Sequence, residues 1–134
     1  MSEQRLHWDG GLRFTGTDAW GRTVALDAEQ AGTGAKPSDL LPLSLAACTA
    51  YEIVEILRKQ RQELDALEAL IETTQDDRPP WAFRRIAVRF TARGRVDPIK
   101  AQKALALSEH KYCSIAATIG SVVALEFSIA VAER

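Results

Sequence analysis

A chain of 134 residues with 46% hydrophobic content suits one globular domain spanning residues 1–134, with a modest but sufficient core. Seventeen Lys and Arg stand against 18 Asp and Glu, a net charge of −1, which lacks the basic excess of a phosphate-backbone binder and excludes nucleic acid as the expected partner. The opening "MSEQRLHWDGG" has no apolar signal core, and Pro42, Ser44, Glu52 and Glu55 interrupt the longest apolar run, which points to a soluble cytoplasmic protein with no membrane partner.

"RLHW" and "LRFTG" flank Asp9-Gly10-Gly11, and "RTVALD" follows the turn-like "TDAWG", a pattern that predicts a three-stranded β-meander. The small, glycine-containing "AEQAGTGAK" reads as a mobile connector. Ser38 is the expected N-cap of a helix with Asp39 in its first turn, and Pro42 lies early enough that its missing N–H costs little. This helix is expected to run to about Glu63, buried along its apolar front half and projecting through "RKQRQE". A strand is predicted over Leu67 to Thr74, then a turn at "DDRPP". In "FRRIAVRFTA", Ile86, Val88 and Phe90 alternate with Arg85, Ala87 and Arg89, the mark of a half-buried strand. Asp97 followed by Pro98 starts a second helix, which "IKAQKALALSEH" carries to near His110. "KYCSIAATIG" forms a short helix closed by Gly120, and the β-branched "VVALEFSIAVA" a final strand. The order βββ, α, ββ, α, short α, β defines an α+β fold. Trp8, Trp20 and Trp81 all fall near predicted turns and suit edge packing or the lining of a pocket.

No internal repeat or glycine-rich phosphate loop appears, so the chemistry rests on the two cysteines, Cys48 and Cys113. Cys48 shares its helix face with Ser44, Tyr51 and Glu52. A carboxylate there blunts a thiol, so reactivity at Cys48 requires an arginine from elsewhere in the structure. Cys113 sits at the start of a short helix, with Lys111 nearby, a setting that favours thiolate. The pair is open to a redox role or to simple burial as small hydrophobes. A Cys2His2 metal set of His7, Cys48, His110 and Cys113 has one close pair in its favour, and no histidine is placed to form a hydrolase triad.

"PSDLLPLSLAACTA", followed much later by "HKYCSIAATI", resembles the osmotically inducible protein C and organic hydroperoxide resistance (OsmC/Ohr) family. Pro37, Asp39, Leu40, Leu41, Cys48 and Cys113 carry the resemblance, and "SEHKYCS" with "EILRKQRQEL" is most similar to its OsmC-like branch. The resemblance implies antiparallel sheets wrapped around long central cysteine-bearing helices in an intertwined homodimer, with active sites at the subunit interface. It implies a thiol peroxidase of organic hydroperoxides. Cys48 is peroxidatic and Cys113 resolving, no cofactor is bound, and an external dithiol such as a lipoylated protein acts as reductant. The better-studied branch pairs an arginine in the N-terminal hairpin loop with a glutamate directly after the helix-opening proline. Ser38 occupies the latter place here, and Asp39, one residue on, takes the acidic role. Arg22 in "AWGRTV" is favoured over Arg13 as the activating arginine, the alternative for Arg22 being an ordinary exposed strand residue. The shifted acid also leaves open a dimeric binding module for an apolar ligand or thiol carrier, with little peroxidase turnover.

Overall fold

The computed structural model describes residues 1–133 and divides after Leu41 into two packing units. In the first, β1 (Arg5–Gly10), β2 (Arg13–Thr17) and β3 (Thr23–Asp27) form the expected antiparallel meander in the order β1-β2-β3. Gly10 and Gly11 turn β1 into β2 at φ +98° and +57°, backbone that costs a glycine nothing. Asp18 closes the next turn, its Oδ1 accepting from the N–H groups of Trp20 and Arg22 at 2.9 Å each. The register sets Leu6, Trp8, Phe14, Val24 and Leu26 on one face, of which Leu6 and Trp8 are 65% and 64% exposed.

The segment from Ala28 to Lys36 is a folded loop and not the expected mobile connector. It returns along β3, with Asp27 N–H donating to the Ala35 carbonyl at 2.9 Å and Ala35 N–H to Ala25 at 3.0 Å. A Cβ on Gly32 would come within 2.1 Å of the Asp27 carboxylate, and one on Gly34 within 3.0 Å of the Leu26 backbone. The small residues answer a need for close approach. A 3-10 turn, Pro37–Asp39, then leads into α1 (Leu40–Lys59). Ser38 lies inside that turn and caps nothing; the residue ahead of it, Lys36, has no side-chain acceptor to offer.

The helical run Pro37–Lys59 has the length and mean hydropathy, 1.6, of a segment able to cross a bilayer, with a third of its apolar window buried within this chain. Leu45, Thr49, Ile53 and Leu57 recur every fourth residue along α1 and form its buried ridge. The helix stops at Lys59, short of Glu63, because Arg61 takes φ +57°. Arg61 N–H donates to the Arg58 carbonyl and Gln62 N–H to that of Leu57, both at 2.9 Å, the paired bonds of a left-handed helix cap. Released there, the chain starts β4 (Glu63–Gln75) earlier than the sequence pattern suggests.

β4 pairs antiparallel with β5 (Phe83–Arg95), which pairs parallel with β6 (Ala124–Ala132), in the order β4-β5-β6. The expectation of wholly antiparallel sheets is therefore corrected. The connection from β5 to β6 runs through two helices, α2 (Pro98–Leu107) and α3 (Ser114–Ile119), and a crossover of that length permits parallel pairing. Asp97 caps α2 as expected, its Oδ1 accepting from Ile99 N–H at 2.8 Å. The α-helical part of this segment ends at Leu107, before His110, and a π turn, Ser108–Tyr112, follows.

The period of two along β5 divides the sheet. Ile86, Val88, Phe90 and Ala92 join Leu45, Ile53 and Leu57 of α1, Ala104 and Leu105 of α2, and Ile129 of β6 in one apolar cluster. Each large aliphatic side chain fully buried there stabilises the unit by about 1.5–3 kcal/mol. On the opposite face Arg85, Arg89 and Arg93 pair with Glu126, Glu72 and Glu68. The result is an α+β fold with two three-stranded sheets.

Gly94 sits at φ +129° beside a register shift in the β4–β5 ladder, and a Cβ there would come within 2.2 Å of the Glu63 carbonyl. Gly94→Ala is expected to lower unfolding free energy by about 3 kcal/mol. In urea the midpoint falls with the slope unchanged; an unaltered midpoint contradicts the close approach.

Candidate redox site

α1 presents Cys48, half-buried, and the turn after α2 presents Cys113, 2% exposed. Both thiols are free, and Cys48 is near enough to Cys113 to be one of the groups that raise its pKa. Two local devices aim Cys113. The π turn closes through Cys113 N–H donating to the Ser108 carbonyl at 2.8 Å, and Cys113 then caps α3, its Sγ accepting from Ala116 N–H at 3.4 Å. Thr49 Oγ1 lies 3.6 Å from the same sulfur.

Burial is the largest influence on Cys113 and pushes its thiol pKa up. The Ala116 N–H and the Thr49 hydroxyl oppose that rise, while neighbouring Cys48 adds to it. The expectation that a helix start makes Cys113 a thiolate is therefore overturned, because one backbone donor and one hydroxyl do not repay the loss of water. Lys111 does not help, since its ammonium lies over the Tyr112 ring, 5.4 Å from the centroid. Around Cys48 the mixed face is as expected, with Ser44 and Tyr51 exposed and Glu52 half-buried. The neighbouring Glu52 carboxylate is the largest influence pushing the Tyr51 pKa up, with desolvation, Cys48 and Glu55 adding to it.

Arg22 and Asp39 belong to the N-terminal unit. Arg22 follows the β2–β3 turn with its guanidinium over the Trp20 ring, 4.6 Å from the centroid, and Asp39 is exposed in the 3-10 turn. Arg13, the other candidate, reaches toward the Asp9 carbonyl at 3.5 Å. His7 bonds Asp9 at 2.7 Å and His110 faces Glu109 at 3.5 Å. Among the described residues no three His, Cys, Asp or Glu side chains gather to hold a metal ion.

Sequence reasoning missed Thr49 and Ser108, both 0% exposed. Ser108 Oγ donates to the Thr49 carbonyl at 2.9 Å, so the residue after Cys48 and the residue that closes the π turn are tied together. The signal was present. Thr49 falls on the four-residue ridge of α1, and a hydroxyl on a buried ridge needs a partner.

A family model described as OsmC-like protein matches residues 30–128. Protein YhfA of Escherichia coli K12 is 28% identical over 94% of this chain and 95% of its own. A hypothetical protein from Aquifex aeolicus superposes with a TM-score of 0.88 at 24% identity, covering 100% of this chain and 98% of that one. An organic hydroperoxide resistance protein OsmC from Legionella pneumophila gives 0.67 at 19% identity over 98% and 97%. The chain belongs to the OsmC-like family. Membership, with two free thiols side by side, supports a redox role.

Unequal burial predicts unequal labelling: at pH 7 iodoacetamide modifies Cys48 in the native chain well before Cys113, as mass spectrometry of peptides reads, and equal rates contradict the geometry. A raised thiol pKa also sets a sign. The stability that neutral Cys113 contributes is complete below the unfolded thiol value, about 8.5, and is lost as pH rises through the folded value. Unfolding free energy should therefore fall above about pH 8.5 more steeply than in Cys113→Ala.

Proposed function

We propose that this chain is a cytoplasmic thiol peroxidase of organic hydroperoxides, a single OsmC-like domain working as an intertwined homodimer. The observation that carries the reading is the nearness of a half-buried Cys48 to a buried Cys113 whose thiol pKa burial raises. Those unequal settings suit unequal roles. The Cys48 thiolate attacks one peroxide oxygen, the O–O bond breaks, and the alkoxide leaves and takes a proton as alcohol. Cys113 then attacks the sulfur of the resulting sulfenic acid, and its thiol proton leaves with the displaced hydroxide as water. An external dithiol of lipoyl type reduces the disulfide and is itself oxidised, so no resident cofactor is needed.

Arg22 is assigned to hold the Cys48 thiolate and Asp39 to hold the guanidinium of Arg22, an assignment resting on residue type and the family pattern. The second subunit is supported by exposed apolar residues in both units: Leu6 and Trp8 on the meander, Leu43 and Tyr51 on α1. Covering α1 in this way gives its bilayer-like composition a use that needs no membrane. The Legionella chain is an organic hydroperoxide resistance protein, which agrees with this substrate class. A second reading, a dimeric binding module for an apolar ligand or thiol carrier, is favoured by Ser38 at the place of the other branch's acid and by the stacking of Arg22 on Trp20.

Stopped-flow oxidation of the reduced protein by cumene hydroperoxide separates the two. A peroxidase oxidises Cys48 at least about a hundredfold faster than free cysteine, a barrier lowered by about 2.7 kcal/mol. Cys48→Ser abolishes the reaction, while Cys113→Ser stops after one turnover at sulfenic acid. A rate equal to that of free cysteine selects the binding module.

A further inference from the structure

The C-terminal unit buries two polar side chains from α1 and the π turn, Thr49 and Ser108, and both are spent on the surroundings of Cys113. They close a ring. Ser108 Oγ donates to the Thr49 carbonyl at 2.9 Å, Cys113 N–H donates to the Ser108 carbonyl at 2.8 Å, and Cys113 Sγ meets Thr49 Oγ1 at 3.6 Å. The Thr49 hydroxyl has a second partner, the Leu45 carbonyl one turn back, at 2.9 Å. A hydroxyl carries one proton and two lone pairs, so it cannot donate to Leu45 and to the sulfur at once.

We propose that Thr49 is the positioning residue for Cys113, its hydroxyl switching from acceptor of the thiol proton to donor toward the thiolate as Cys113 is drawn into the reaction. While Cys113 is a thiol, Thr49 donates to Leu45 and accepts from S–H, and the ring fixes the position of the sulfur. When the proton leaves, rotation about one bond aims the hydroxyl at sulfur and releases a carbonyl that already serves the helix. In a site with little water a donor to a charged atom is worth more than at the surface. The device deepens the redox reading and acts on resolution, not on peroxide attack: it helps Cys113 form a bond to Cys48 sulfur as hydroxide departs and takes the proton.

The test has two arms. In a Cys48→Ala background, ultraviolet titration of the Cys113 thiolate uses no peroxide. Thr49→Val, which keeps the shape and removes the hydroxyl, is expected to lower the thiolate fraction at a fixed alkaline pH about tenfold or more, and Thr49→Ser to restore it. With both cysteines present, stopped-flow with cumene hydroperoxide should show Cys48 oxidation unchanged and disulfide formation slowed about 10- to 100-fold in Thr49→Val, with sulfenic acid trapped by dimedone. Thr49→Ala serves in its place should the valine variant fail to fold. An unmoved titration, or one that Thr49→Ser fails to restore, overturns the proposal. A titration that moves in a protein that hydroperoxide never oxidises overturns the peroxidase reading and leaves the role of Thr49 standing.

Discussion

The hydrogen bond from Ser108 Oγ to the Thr49 carbonyl joins the two stretches of chain on which the cysteines depend. It spans sequence-distant segments inside an apolar layer, where neither partner has water to fall back on. Without it the π turn loses its tether to α1. With it, Cys113 is presented to α1 at the point where Cys48 half emerges. A π turn suits this task because its wider closure lets Cys113 leave the α2 direction and cap α3 within one residue.

Burial is unevenly distributed along the chain. β5 divides its two faces, aliphatic toward α1 and arginine-bearing on the other, so most large apolar side chains of this strand are buried within the unit. The meander and the front of α1 are different: large apolar side chains stand exposed on both. Monomers rarely leave such surface open without a partner. The family resemblance and the exposed residues thus lead to the same expectation, a second copy of the chain, by separate routes.

Element order was readable from the sequence because each signal was local. Asp97-Pro98 starts a helix through its own acceptor and its own fixed φ, and the alternation from Arg85 to Phe90 needs no knowledge of the rest of the fold. The failures involve long-range or permissive features. Arg61 ends α1 in a left-handed conformation that composition assigns to glycine. The loop after β3 uses small residues for tightness, and tightness has the same composition as freedom. The parallel pairing of β6 is a property of the crossover and leaves no mark on the strand. At the site, both cysteines were legible as residues, yet the state of Cys113 was not, because its burial comes from elements far apart in the chain. Thr49 was hidden by its neighbour: beside a cysteine, a threonine attracts no notice.

The nearness of Cys48 to Cys113 also bears on how long the chain endures. A bond closed between them ties off a loop on the order of 65 residues, and a cross-link of that span restricts the unfolded ensemble by roughly 4 kcal/mol. That is a large part of the stability of a domain this size. Were that bond to close, the oxidised chain would be the durable one and the reduced chain the one on which proteolysis and heat chiefly act. Turnover of the protein would then be tied to its own redox history, and a melting temperature measured without fixing the thiol state would average two different molecules.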